Sequence, residues 1–189
     1  FPTCFMIKQL LTKCLLSLIL FSGSGVASGQ LLITQYYEGT SNNKFLELTN
    51  VGASPIDLST YTLTRWSNAA AEDWKTATVS SASETLSGVL AGGESYVLAN
   101  SSAVIPITAA EADLKSGLIT FNGNDSVALY NGLDGDNFPI IDPANLVDAV
   151  SITNTGNEGV NTSVVRKSAD VGFDLVGGTT FLSYPLVWE

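Results

Sequence analysis

From residue 30 onward, apolar and polar side chains alternate with a period of two wherever the chain is not turning, the pattern of half-buried strands. "LLITQYY" (31–37) and "KFLELTN" (44–50) read as two strands. In the second, Leu46 and Leu48 face one way and Phe45, Glu47 and Thr49 the other. "VGASPIDLS" (51–59) holds Gly52 and Pro55 as turn chemistry, and "TYTLTRW" (60–66) is the next strand. Residues 67–83 are small and polar and read as a long loop. "ETLSGVL" (84–90) leads through "AGGES" (91–95), a hairpin signal, into the apolar "YVLAN" (96–100). "GLITFNGNDSVALYNG" (117–132) places two apolar runs around Asn122-Gly123, and "LVDAVSI" (146–152) and "SVVRKS" (163–168) are late strands.

One segment breaks the rule. "TAAEADLKS" (108–116) is alanine-rich, with Thr108 as an N-cap and Glu111 three positions on, and predicts one short helix. About eight short strands with Gly, Asn and Pro turns predict an all-β antiparallel sandwich or barrel. The polar run Glu38–Asn43 between the first two strands is either a binding loop or only a turn. Turn chemistry favours the second: Gly39 permits positive φ, Ser41 and Asn42 can bond the turn's own backbone, and Asn43 tolerates a left-handed conformation.

The amino terminus follows other rules. Lys8 and Lys13 precede the apolar run Leu15–Phe21, which passes into small residues from Ser22 to Gly29. That order predicts a secretory signal peptide over residues 1–29, with cleavage expected between Ala27 and Gln30; residues 1–5, before Met6, read as upstream read-through or as the mark of a fragmentary gene. The apolar run is shorter than the roughly 20 residues a membrane span needs. Cys4 and Cys14 both lie in or before this leader, so residues 30–189, the expected domain, contain no cysteine and no disulfide. A chain of this length stands on one hydrophobic core without staples.

Charge narrows the partners. The 189 residues carry a net charge of −10, and all eighteen acids lie after the leader, against six bases: Lys44, Arg65, Lys75, Lys115, Arg166 and Lys167. A polyanion is repelled by such a surface, which argues against nucleic acid as a partner of this domain. The absence of histidine removes Ser-His-Asp and Cys-His catalysis and any His-ligated metal. Glu38 and Glu47 flank the first turn as acids, yet solubility accounts for them without a glycosidase role.

Two weaker candidates remain. In "NGLDGDNFPIID" (131–142), Asp134, Asp136 and Asp142 with Asn137 offer the hard oxygen ligands calcium prefers, but Phe138 interrupts the spacing and no Glu closes the loop. Trp66, Trp74 and Trp188 would form a glycan-stacking platform if exposed together. Trp66 and Trp188 read as packing residues and Trp74 as the one exposed in a polar loop. Asp57 and Asp148 read as turn or backbone partners.

"FLELTNVGASPIDLSTYTL" resembles the signature of the lamin-tail domain, and "GVLAGGESYVLANSSA", "FNGNDSVALYNG", "LVDAVSI" and "SVVRKS" follow in that family's order. "QYYEGTSNNKFLEL" is similar to secreted bacterial members, several of which sit beside extracellular nuclease or phosphatase domains. The resemblance, over residues 31–189, implies an immunoglobulin-like sandwich without catalysis or cofactor. Such a module would act outside the cell on a protein, cell-surface or glycan partner, through Glu38, Ser41, Asn42, Asn43 and Trp74. Two other readings stay open: the leading piece of an extracellular nuclease or phosphatase, or a calcium- or glycan-binding sandwich.

Overall fold

The computed structural model describes residues 30–68, 82–104, 112–122, 125–136, 138, 140–151 and 163–166. These form eleven strands: β1 (Leu31–Glu38), β2 (Lys44–Asn50), β3 (Ile56–Asp57), β4 (Tyr61–Trp66), β5 (Ala82–Thr85), β6 (Val89–Leu90), β7 (Ser95–Asn100), β8 (Leu114–Ser116), β9 (Ser126–Asn131), β10 (Leu146–Ser151) and β11 (Ser163–Val165). A five-stranded sheet, β11-β1-β2-β7-β8, and a four-stranded sheet, β10-β9-β4-β5, enclose the core, and β3 and β6 pair as a short ribbon. This is the expected immunoglobulin-like β-sandwich.

The alternation read from the sequence sets the layers. Leu46 and Leu48 of β2, Leu98 of β7, Leu63 of β4, and Val127 and Leu129 of β9 are fully buried in one cluster between the sheets. The outer face of the four-stranded sheet carries a second buried cluster, Trp66, Ala128, Tyr130, Leu146 and Ala149, with Ile141 packed against it. Trp66 meets Tyr130 edge-on at 6.3 Å, so its expected packing role holds.

Two expectations change. Leu114–Ser116, the end of the expected helix, is strand β8, parallel to β7 in register Leu98↔Leu114. Asp113 fixes it there: its Oδ2 accepts the Val97 N–H at 2.8 Å and its own N–H donates to the Val97 carbonyl at 2.9 Å, a cross-strand pairing that local helix propensity does not register. Residues 108–111 of that helix lie outside the described residues. The second change concerns "AGGES". It does turn, with the Glu94 N–H donating to the Ala91 carbonyl at 3.1 Å, but β6 pairs with β3 and β7 with β2, so it links two sheets rather than closing a hairpin. The apolar run 117–121 joins the core without forming a strand: Leu118, Ile119 and Phe121 are buried from irregular backbone.

Two asparagines end neighbouring strands in the same manner. Asn50, fully buried, donates through Nδ2 to the carbonyls of Ser54 (2.8 Å) and Leu90 (3.1 Å) and accepts from the Gly52 N–H (3.1 Å). It therefore closes the β2–β3 turn and ties the turn to β6. Asn100 donates to the Ile119 carbonyl at 2.7 Å and accepts from the Ser102 N–H at 2.8 Å. That pairing holds the irregular 117–121 segment against the end of β7.

Candidate functional site

The first turn was the leading sequence candidate. Gly39 does not take positive φ; Ser41 does, at 57°. Gly39 is required for space instead, because a Cβ there would stand 2.6 Å from the Asn43 carbonyl oxygen and 2.8 Å from Tyr37 Cε1. The turn closes on itself through Gly39 N–H to the Asn43 carbonyl (2.8 Å) and Lys44 N–H to the Asn42 carbonyl (2.9 Å). Asn43 then accepts the Val104 N–H on Oδ1 at 3.0 Å, joining this turn to the segment after β7.

Glu38 is not a loop residue. Its side chain points inward, 2% exposed, where its Oε2 accepts from the Tyr36 hydroxyl (2.8 Å) and its Oε1 from Lys44 Nζ (3.1 Å). Tyr36 stacks on Phe121 at 4.2 Å between ring centroids, and Lys44 Nζ lies 6.0 Å over the same Phe121 ring. The four side chains close one end of the core, the carboxylate being held there by a cation and a hydroxyl. Glu47 sits on the outer face, its Oε1 accepting from the Thr34 hydroxyl at 2.6 Å, so the two acids flanking the turn lie on opposite faces of the sheet. They cannot act as a pair on one substrate.

The acidic loop organises its own backbone. Asp134 Oδ1 accepts the N–H groups of Asp136 (2.9 Å) and Phe138 (2.8 Å), and Asp142 Oδ1 accepts that of Ala144 (2.8 Å), capping a short 3-10 turn. Among the described residues no three acids, cysteines or histidines converge on a point that could hold a metal ion. Asp57 caps the 3-10 turn Leu58–Thr60 through the Ser59 N–H at 2.9 Å, which holds its carboxyl below the usual range. Trp74, Trp188 and Asn137 lie outside the described residues.

The strongest electrostatic feature was legible only in part: Asp148 serves the backbone, as expected, but its distant partners Ile33 and Arg166 left no signal in the sequence. A bulge in β1 at Thr34 and another in β10 at Val147 shift the registers of both strands. Asp148 then faces into the sandwich, 1% exposed, and its Oδ2 accepts the Ile33 N–H of the opposite sheet at 2.8 Å. Arg166, following β11, donates from Nε to the Ile33 carbonyl at 2.8 Å and pairs its Nη2 with Asp148. The two side chains thus meet both backbone groups of Ile33 beside the bulge and clamp β1, β10 and β11 together. Asp125 plays a similar part elsewhere, accepting from Arg65 Nη1 (3.0 Å) and the Asn68 N–H (2.7 Å).

Burial pushes the Asp148 carboxyl up to about 6 from 3.8, against the Arg166 charge and the two N–H donors, which pull it down. A carboxyl whose pKa is higher folded than unfolded binds its proton more tightly in the folded chain. Its contribution to stability is fully present below 3.8 and is lost as pH rises through about 6. Urea melts of the wild type and Asp148→Asn from pH 4 to 7 should therefore diverge, the wild type losing stability relative to the variant across that window. Parallel curves would show that Asp148 does not titrate there.

A cavity of about 430 Å³ lies between the β3–β6 ribbon and the start of β7, lined by Leu58, Val89, Leu90, Glu94, Tyr96 and Asp113 among others. Sequence reasoning passed over it because its walls come from four separated segments. Among the described residues, no helix is long and apolar enough to cross a membrane.

No curated protein matches the chain. Its fold is similar to the crystal structure of a DUF4876 family protein from Bacteroides thetaiotaomicron, with a TM-score of 0.54 and 12% identity over 77% of this chain. The chain spans 64% of that protein's length. The family model for the lamin tail domain matches residues 25–153, from just before the first strand through β10, the stretch that contributes ten of the eleven strands. On that match, the chain belongs to the lamin tail domain family.

Proposed function

We propose that this domain is a non-catalytic interaction module exported from a bacterial cell, working outside the cell or at its surface. One observation carries the reading. Among the described residues, the most buried carboxylates and those at the turns are committed to the chain's own backbone or to each other: Asp57, Asp134 and Asp142 to turns, Glu38 to Lys44, Asp125 to Arg65, and Asp148 to Arg166 and Ile33. A carboxylate fixed in this way contributes to structure and is not poised for proton transfer. Membership of the lamin tail domain family supports the same reading, and the basic-apolar-small order of residues 6–29 supports export.

The purified chain is expected to show no turnover of DNA, phosphomonoesters, phosphodiesters or glycosides. Measurable hydrolysis that a single point substitution abolishes would overturn the proposal.

A further inference from the structure

The cavity beside the β3–β6 ribbon sets two carboxylates beside an apolar wall. Leu58 and Leu90 form a buried apolar floor, Tyr96 a half-buried wall, and Val89 stands at the rim with 71% of its surface exposed. Gly88, at φ +98°, leaves the wall beside Val89 without a side chain, and nothing lies within 4 Å of where its Cβ would be. The lining includes two acids, Glu94 and Asp113, and no base.

Both acids are held by one oxygen only. Glu94 Oε2 accepts the Ala91 N–H at 3.0 Å, and Asp113 Oδ2 accepts the Val97 N–H at 2.8 Å. The second oxygen of each is uncommitted, so the carboxylates are oriented by the fold yet keep an acceptor for something else. The Tyr96 hydroxyl lies in reach of the Asp113 charge: burial first, then Asp113 and Glu84, raise its pKa, while a hydrogen bond with Ser87 lowers it. A volume of 430 Å³ falls in the range of about 300–1,000 Å³ typical of binding clefts.

We infer that this groove docks a basic, partly apolar segment of a partner protein, with the stem of a lysine or arginine lying over Leu58, Val89 and Tyr96 and its cationic head between Glu94 and Asp113. The inference rests on the domain being an interaction module and names the chemistry of its partner. Long basic side chains carry the combination the groove asks for, an apolar stem with a charged tip. The chain's net charge of −10 would draw such a segment in from a distance and repel acidic competitors.

Fluorescence anisotropy with a labelled alternating lysine–leucine peptide tests it on the full chain. Glu94→Gln/Asp113→Asn keeps the acceptors for the Ala91 and Val97 N–H groups but removes both charges. It should weaken binding by about tenfold or more. Asp136→Asn/Asp142→Asn, the same charge change outside the groove, should weaken it by less than about twofold. Val89→Ser, at an exposed position that leaves the core intact, should weaken it by about threefold through lost apolar contact. Equal losses in the two charge pairs, no binding by the wild type, or an equal preference for a glutamate–leucine peptide would each overturn the groove assignment and leave the non-catalytic reading standing. Substrate turnover would remove that reading, whatever the peptide does.

Discussion

Arg166→Ala is expected to lower the unfolding free energy by about 3–5 kcal/mol, because it strands the buried Asp148 charge without its cation. The measurement is urea unfolding at pH 7, where Asp148 is ionised. Arg166 is 8% exposed and Asp148 1%, so water does not replace the lost partner. The cost reaches further than the ion pair, because Arg166 Nε also meets the Ile33 carbonyl at 2.8 Å. Replacing both charges with apolar residues, as in Asp148→Val/Arg166→Met, should not rescue the fold as it does at many buried pairs. Ile33 would keep an unmet N–H and carbonyl, at about 1–3 kcal/mol each. The paired replacement therefore separates a structural clamp at the bulge from a simple ion pair. A stability loss under about 1 kcal/mol in Arg166→Ala would show that the clamp contributes nothing beyond a surface salt bridge.

Phe121→Ala is expected to cost about 3–5 kcal/mol, the usual range for removing a large aromatic ring from a close-packed core. Phe121 is fully buried, though it lies in no strand. Its ring supports Tyr36, and Tyr36 in turn donates to Glu38, which pairs with Lys44. Removing the ring opens a cavity beside a buried ion pair, so water entry there should loosen the end of the β1–β2 hairpin. Phe121→Leu, which keeps most of the volume, should cost roughly half as much. If Phe121→Ala unfolds with the wild-type urea midpoint, the irregular 117–121 segment is not part of the core.

Much of the sandwich was legible one residue at a time. Alternation in "KFLELTN" placed Leu46 and Leu48 inside and Glu47 and Thr49 outside, and the structure keeps that assignment throughout β2. The turn at Gly52 and the backbone role of Asp57 were also legible, since both involve partners within a few residues. The candidate binding turn fared less well. Glu38 is drawn inward by Tyr36 and Lys44, and Asn43 reaches Val104, a partner sixty-one positions away.

What the sequence by itself determined was the local side of each strand, the turn positions and the absence of histidine chemistry, because a period of two and a turn's own hydrogen bonds involve only near neighbours. Everything that needs a distant partner was decided by the tertiary structure. The bulges at Thr34 and Val147 break the very alternation that sequence reading depends on, and they are tolerated because Asp148 and Arg166, brought from 115 and 133 positions away, satisfy the backbone of Ile33. The segment at Leu114–Ser116 became a strand for the same reason: pairing with β7 offered it backbone partners that a lone helical turn could not match. The groove beside β6 likewise exists only where four separated segments meet.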